Sequence, residues 1–292
     1  MWLDDELTFL EKVQKYLNKK MLKVLKKALT GYNFVENGFN IAMRLYYVGM
    51  CPKHLFFQAD LTESGTIVGP GGSDPDDPDN PEDAISGLFT VDANGKQVYF
   101  AKGNLEYDGT NGYSFAAHQY DYGGYFGWGT GSNPTNTSTD NADYPSFDDW
   151  GNHIAGGWRT LSMNEWCYVI YGRADASAKR GAATVCGVHG MALLPDNWGG
   201  GTFTAGFNGW GTNVYDASSW AAMEDAGAVF LPAAGSRYGT ELGGVGTSGG
   251  YWSSTPDGEN HAYGMYCYDS SVVNYVSDTR NYGHSVRLVQ DY

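Results

Sequence analysis

Apolar residues fall at Leu3, Leu7, Leu10, Leu17, Met21, Val24 and Ala28, with spacings of four and three throughout once Gln14 takes the missing place. That period predicts an amphipathic helix over residues 3–29, stopped at Gly31, with one polar residue in its apolar stripe. Three arrangements fit the stripe: a short coiled-coil stem that forms a homo-oligomer, a helix packed on residues 40–47 of its own chain, or a basic amphipathic helix on an anionic membrane. Residues 64–84, SGTIVGPGGSDPDDPDNPEDA, break the pattern. Pro, Gly and Asp dominate there, the acidic groups repel one another, and the stretch reads as a linker with too little apolar surface to fold alone. From Ile85 onward the period shortens to that of strands. Leu88–Val91 and Lys96–Ala101 flank Asp92-Ala93-Asn94-Gly95, whose Asn-Gly marks a hairpin. Residues 108–157 follow neither period and read as a long loop region pinned by aromatics such as Tyr125, Phe126 and Trp128.

Farther along, Ser162-Met163-Asn164-Glu165 has the spacing of a capping box, and Trp166, Val169 and Ile170 give the helix behind it a buried face. Residues 187–195 predict a strand that ends at Pro195. A second helix is expected near Ser218 to Ala226, closed by Gly227, and then a buried strand over 228–235. Alternation over 262–269 puts Tyr263, Met265 and Cys267 on one face and Gly264, Tyr266 and Tyr268 on the other. Met and Cys favour burial, so the first set is assigned to the core and the second faces out. Two helices among many short strands predict the α+β class.

The totals agree with that class. The chain has 292 residues, 42% of them hydrophobic, with 41 Gly and 15% aromatic residues. Such a composition suits short strands and turns better than a helical bundle. Its length predicts one large domain or one domain plus an appendage; the boundaries above divide it into a helical segment over 1–63, the linker over 64–84, and a folded domain over 85–292. The net charge of −15 makes nucleic acid an unsuitable partner for the main body. Residues 1–29 hold seven Lys against four acids, +7 − 4 = +3, which leaves −15 − 3 = −18 for the rest. No apolar run is long enough to span a bilayer, and the acidic start, Met1-Trp2-Leu3-Asp4-Asp5-Glu6, shows no signal peptide. Cys51, Cys167, Cys186 and Cys267 have no zinc-ligand spacing but leave room for one bridge, Cys167 to Cys186. Cys267 is expected to be buried and unreactive.

The stretch from Tyr251 to Val289 is rich in Tyr, Asn, Asp, Ser and Gly. This is the composition of an antibody-like binding surface, where Tyr supplies rigid contact area and Ser, Gly and Asn supply adaptable hydrogen bonding. Strand propensity alone also allows a Tyr-rich edge strand with no such role.

Six segments occur in a telling order: Val98–Leu105, Gly157–Trp166, Leu193–Trp198, Gly227–Gly235, Tyr251–Ser254 and Ser285–Val289. Together they resemble the variable proteins of diversity-generating retroelements, which have a C-type lectin fold of the formylglycine-generating-enzyme type. The resemblance covers residues 85–290 and leaves 1–84 outside. It implies a gene whose 3′ end is rewritten by an error-prone reverse transcriptase at template adenines. Codons so mutated cannot encode Lys, Glu, Gln, Met or Trp. Between Ser253 and Val289 those types occur only as Glu259 and Met265. The resemblance implies fixed positions at Tyr251, Trp252, Tyr263, Met265, Val272, Arg280, Gly283 and residues 285–289. The ligand-binding, diversified positions are then expected to be drawn from Asp257, His261, Gly264, Tyr266, Tyr268, Val273, Tyr275, Asp278, Asn281, Tyr282 and His284.

Catalysis is not expected. The enzymes of this fold use a close pair of cysteines near the C-terminus, whereas Cys267 is the only cysteine after Cys186. His118, His153, His189, His261 and His284 are scattered, and none lies in an HExxH motif. Asp148-Asp149 suits a solvated loop or a structural calcium as well as acid–base work. Gly199-Gly200-Gly201 opens no helix after a strand. No sugar-binding EPN or QPD triplet is present, and no cofactor is expected. The expected function is a hypervariable receptor- or tropism-type protein on a phage particle or bacterial surface, its ligand a macromolecule of unspecified identity. The alternative is a surface adhesion domain of fixed specificity, and a formylglycine-generating enzyme ranks below both.

Overall fold

The computed structural model describes Asp60, Leu61, Ile67, Val68, Pro81 and residues 83–292. The helix expected over 3–29, its stop at Gly31, Cys51 and most of the 64–84 stretch lie outside the described residues. The chain divides into two units, Met1–Pro70 and Gly71–Tyr292. In the first, β1 (Asp60–Leu61) pairs antiparallel with β2 (Ile67–Val68). The dipeptide Ile67-Val68, expected to be linker, is thus a strand, as two β-branched apolar residues favour.

The second unit runs β3 (Ala84–Thr90), β4 (Gln97–Ala101), β5 (Leu105–Asp108), β6 (Gly112–Phe115), β7 (Arg159–Thr160), α1 (Met163–Cys167), β8 (Arg180–Val185) and β9 (Val188–Leu193). It continues β10 (Val214–Tyr215), α2 (Ala217–Asp225), β11 (Val229–Pro232), β12 (Ser236–Tyr238), β13 (Glu241–Gly243), β14 (Ser248–Asp257) and β15 (His261–Tyr268). It closes with β16 (Val272–Thr279), β17 (Tyr282–Gly283) and β18 (Leu288–Asp291). The strands form sheets in the orders β3-β4-β18-β7, β10-β8-β9-β11, β13-β12-β17 and β14-β15-β16, beside the hairpin β5-β6. All these pairings are antiparallel except β8 with β10. Two α-helices among many short strands make the unit α+β.

The predicted hairpin is β3–β4, with Thr90 opposite Gln97 and Gly95 at φ 85° in its turn. Asp92 braces that turn by accepting from the backbone N–H groups of Asn94 and Lys96. The chain's last strand, β18, lies in the middle of the same sheet with Val289 opposite Phe100. Both side chains are fully buried in a core shared with Phe89, Trp166, Leu231 and Met265. A second core gathers Trp128, Trp150, Trp158 and Trp252, and a third lies under α2 around Trp220 and Phe230.

Helix α1 starts as expected. Ser162 Oγ accepts from Glu165 N at 3.3 Å, and Glu165 Oε2 accepts from Ser162 N at 2.8 Å. Arg159 then grips both oxygens of Glu165, at 2.9 and 2.8 Å. The paired geometry fixes the carboxylate over the helix start, where the dipole favours it. Trp166, Val169 and Ile170 are buried, and past Cys167 the coil widens into a π-turn over Tyr168–Gly172.

The long region 108–157 contains β6 and two 3-10 turns, Asn141–Asp143 and Trp150–His153, beyond the loop expected there. Its acidic pair is structural. Asp149 accepts from Gly151 N and from both the N–H and hydroxyl of Thr160, while Asp148 pairs with His153 at 2.9 Å. The bridge envisaged between Cys167 and Cys186 does not form: both are free thiols, one ending α1 and the other in the β8–β9 turn at φ 49°.

Replacing Ser162 with Ala removes one half of the cap and should lower unfolding free energy by about 1 kcal/mol. Urea unfolding of the two proteins, compared at constant m, measures it.

Candidate functional site

The region from β14 to β17 is tied to the core at neighbouring points at its two ends, with one face of its sheet packed on that core between them. It departs through Tyr251, Trp252 and Ser253, and comes back through His284, Ser285 and Val286, all of them buried. The two ends are tied together by backbone bonds: Ser285 N donates to Gly250 O at 3.0 Å and Trp252 N to Ser285 O at 3.1 Å. Side chains secure the same place. Tyr251 Oη donates to Pro232 O and Trp252 Nε1 to Phe126 O, at 2.9 and 2.8 Å. Burial raises the pKa of the Tyr251 phenol, which keeps it a hydrogen-bond donor. Near the far end, Arg280 gives its guanidinium to the carbonyls of His261, Tyr144, Pro145 and Gly258 and lies over the Trp128 ring.

Strand register sorts the side chains into two faces. Tyr251 opposes Met265, and both join the core with Cys267, whose thiol burial pushes up to about 12. Tyr263, expected beside them, is only half-buried at the rim of that core. Its phenol is held by Asp257, which raises its pKa. The opposite face carries Gly250 across from Tyr266, Tyr266 across from Val273, and Ala262 across from Asp278. Gly250 is small for a reason: a methyl group there would lie 2.9 Å from His284 Nδ1 and 3.1 Å from Tyr266 Cζ.

On that second face three of the expected residues meet. Tyr266 Oη donates to Asp278 Oδ2 at 2.5 Å and lies 3.0 Å from His284 Nε2, which is itself 3.1 Å from Asp278 Oδ2. Burial pushes the Asp278 carboxyl up, but the hydrogen bonds of His284 and Tyr266 outweigh it and leave the group below its ordinary value of 3.8. Burial and the Asp278 charge together raise the Tyr266 phenol. His284 is fully buried with its ring 4.3 Å from Trp252.

Around this cluster the rings form a row. Centroids are 5.1 Å apart for Tyr238–Tyr282, 6.0 Å for Tyr282–His284, 5.3 Å for His284–Tyr266 and 6.2 Å for Tyr266–Tyr268. Tyr238 lies outside the stretch that sequence reasoning singled out. It joins because β12 pairs with β17, placing Tyr238 opposite Tyr282. No local pattern announces that pairing.

The remaining expected residues are dispersed. Asp257 and His261 oppose each other at the hairpin tip, where side-chain hydrogen bonds from Ser277 and Tyr263 lower the Asp257 pKa. Tyr275 belongs to the α1 side: its hydroxyl donates to Asn164 Oδ1 at 2.5 Å, and its ring meets Tyr263. The register explains the switch. Val276 opposes Gly264 and Val273 opposes Tyr266, so two residues of β16 face one of β15 in a bulge, with Tyr275 at φ 58°. Gly264, Asn281 and His284 are buried and do not present themselves to solvent as strand alternation and elimination led one to expect. A methyl on Gly264 would come within 3.0 Å of Tyr251 O, and Asn281 is held by Thr139 O at 2.6 Å. Among the described residues no group of three or more His, Cys, Asp or Glu could hold a metal ion. The site offers ring faces, phenol hydroxyls, a buried imidazole and a carboxylate.

Two outcomes follow from this packing. Because the Asp278 pKa is depressed in the folded state, its contribution is complete above the unfolded value and disappears as pH falls through the folded one. The stability gap between wild type and Asp278→Asn should therefore shrink steadily below about pH 4, read by denaturant unfolding across pH 2 to 7. Gly250→Ala should cost about 1–3 kcal/mol by overpacking and alter the near-ultraviolet dichroism of the Tyr266 and Trp252 environment.

Residues 211–289, which include all of β14 to β17, match a family described as a domain of unknown function, DUF8237. No curated protein and no solved structure matches the chain.

Proposed function

We propose that this chain is a ligand-binding display protein whose recognition face is drawn from residues 251–289. The observation that carries the reading is the clamped excursion: residues 254–283 are held at both ends by buried residues and backbone bonds, so side chains on the excursion can change while its anchors stay fixed. Every position that the resemblance assigns as fixed, apart from Tyr263, is buried, and eight of the eleven assigned as diversified keep contact with solvent; this partial division supports diversification by a retroelement on a C-type lectin scaffold. Tyr rings with few rotatable bonds lose little entropy on contact, which suits recognition of a macromolecule. Cys267 supports binding over formylglycine-type chemistry, since a fully buried thiol with a raised pKa is a poor nucleophile and metal ligand. Carriage on a phage particle or bacterial surface fits such a role, and multimerisation through residues 3–29 would add avidity.

Sequencing the gene and its flanks decides the diversification claim. The expected result is a near-copy of the codons for residues 251–289, differing only where the copy has adenine, beside a reverse transcriptase gene. Absence of both would leave a surface adhesion protein of fixed specificity.

A further inference from the structure

The ring row has a charge environment that selects a class of partner. Between Ser236 and His284 the chain has no Lys and two Arg, Arg237 and Arg280. Both are buried and committed to carbonyls: Arg237 to those of Gly239, Tyr125 and Asn136, Arg280 to the four named above. His284 is buried, and His261 sits at the hairpin tip. The acids of the same span, Glu241, Asp257, Glu259, Asp269 and Asp278, all keep contact with solvent.

Two of these carboxylates lie along the row itself. Glu241 opposes Tyr238 in register, and Asp278 accepts the Tyr266 hydroxyl and acts on the Tyr268 phenol. Elsewhere in the protein a ring face near a cation is occupied by the chain's own guanidinium: Arg173 over Phe89, Arg180 over Tyr171 and Arg280 over Trp128, at 4.3–4.9 Å. Among the described residues no cation lies over Tyr238, Tyr266, Tyr268 or Tyr282.

We infer that the row Tyr238–Tyr282–Tyr266–Tyr268 is a seat for a cationic protein segment, with Lys or Arg side chains lying on the ring faces beside Glu241 and Asp278. This inference rests on the reading of the surface as a recognition face and narrows its partner. The physics is a cation attracted to the negative ring face, reinforced by a carboxylate within reach. The chain's net charge of −15 steers such a partner inward and repels nucleic acid and anionic lipid.

The test is calorimetric titration of the full chain with hexa-arginine, hexalysine and hexaglutamate, at low and high salt. The acidic 64–84 stretch attracts polycations by itself, so the decisive comparison is with Tyr238→Ser, Tyr268→Ser and their double variant. Tyr238 is well exposed, and neither residue belongs to the Asp278–His284 hydrogen bonds. Glu241→Gln, at an exposed position, covers the case in which a ring variant fails to fold. Hexa-arginine should bind, hexaglutamate should not, and each lost ring should weaken binding about two- to fivefold. Equal affinity in wild type, ring variants and Glu241→Gln would overturn the inference. Selection from a random peptide library separates it from the reading beneath. Ring-dependent peptides rich in Lys and Arg support both, and ring-dependent peptides that are neutral or acidic leave a recognition face without this partner class. A library yielding no ring-dependent peptide removes both.

Discussion

Residues 284–290 are the shared partner of nearly everything else in the folded unit. His284 exchanges backbone bonds with Phe126, Ser285 with Gly250 and Trp252, and Val286 accepts from Leu105. Arg287, buried to the guanidinium, donates to Gln119 Oε1 and Phe230 O at 2.9 and 2.6 Å. Gln119 in turn bonds Ala228 O and Phe230 N, so one polar core links the long loop region, β11 and the C-terminal segment. Burial pushes the Arg287 guanidinium down to about 10, still charged at neutral pH. A buried charge of this kind is costly unless its acceptors are in place. The fold therefore depends on segments far apart in sequence arriving together, and the sheet β14-β15-β16 is tied to that junction.

This dependence separates rigidity from identity. The sheet β14-β15-β16 gets its position from its two ends and from Arg280 at the far side, not from the side chains on its outer surface. Asp278, Tyr266 and His284 form an exception. They are part of the expected recognition set, yet they bond one another across β15, β16 and the return to the core. A change at any of the three alters packing as well as surface chemistry, so the expected set divides into residues free on the surface and residues that hold the rings in place.

Much of the fold was legible locally. The capping box at Ser162, the hairpin at Asn94-Gly95, the burial of Met265 and Cys267 and the α+β class all rest on short-range spacing, and the structure agrees with each. Half of the site was not legible, for two physical reasons. Alternation assumes an unbroken strand, and the bulge in β16 sends Tyr275 toward α1 while Val273 and Asp278 stay with Tyr266. Polar residue types also suggest exposure, yet Asn281 and His284 are buried, with Asn281 Nδ2 bonded to Thr139 O and His284 Nε2 to Tyr266 and Asp278. Tyr238 was missed because only sheet pairing brings it to Tyr282.

The bulge has a bearing on how the protein behaves in a crowd. β16 is the outer strand of its sheet, and an outer strand with regular spacing offers its free backbone groups to any extended chain that passes. Two residues opposed to one, with Tyr275 in a left-handed conformation, throw that spacing out of step halfway along and leave no long straight run to copy. A region that carries so many tyrosines in extended conformation is thereby kept from stacking against its neighbours, whatever side chains its outer positions carry.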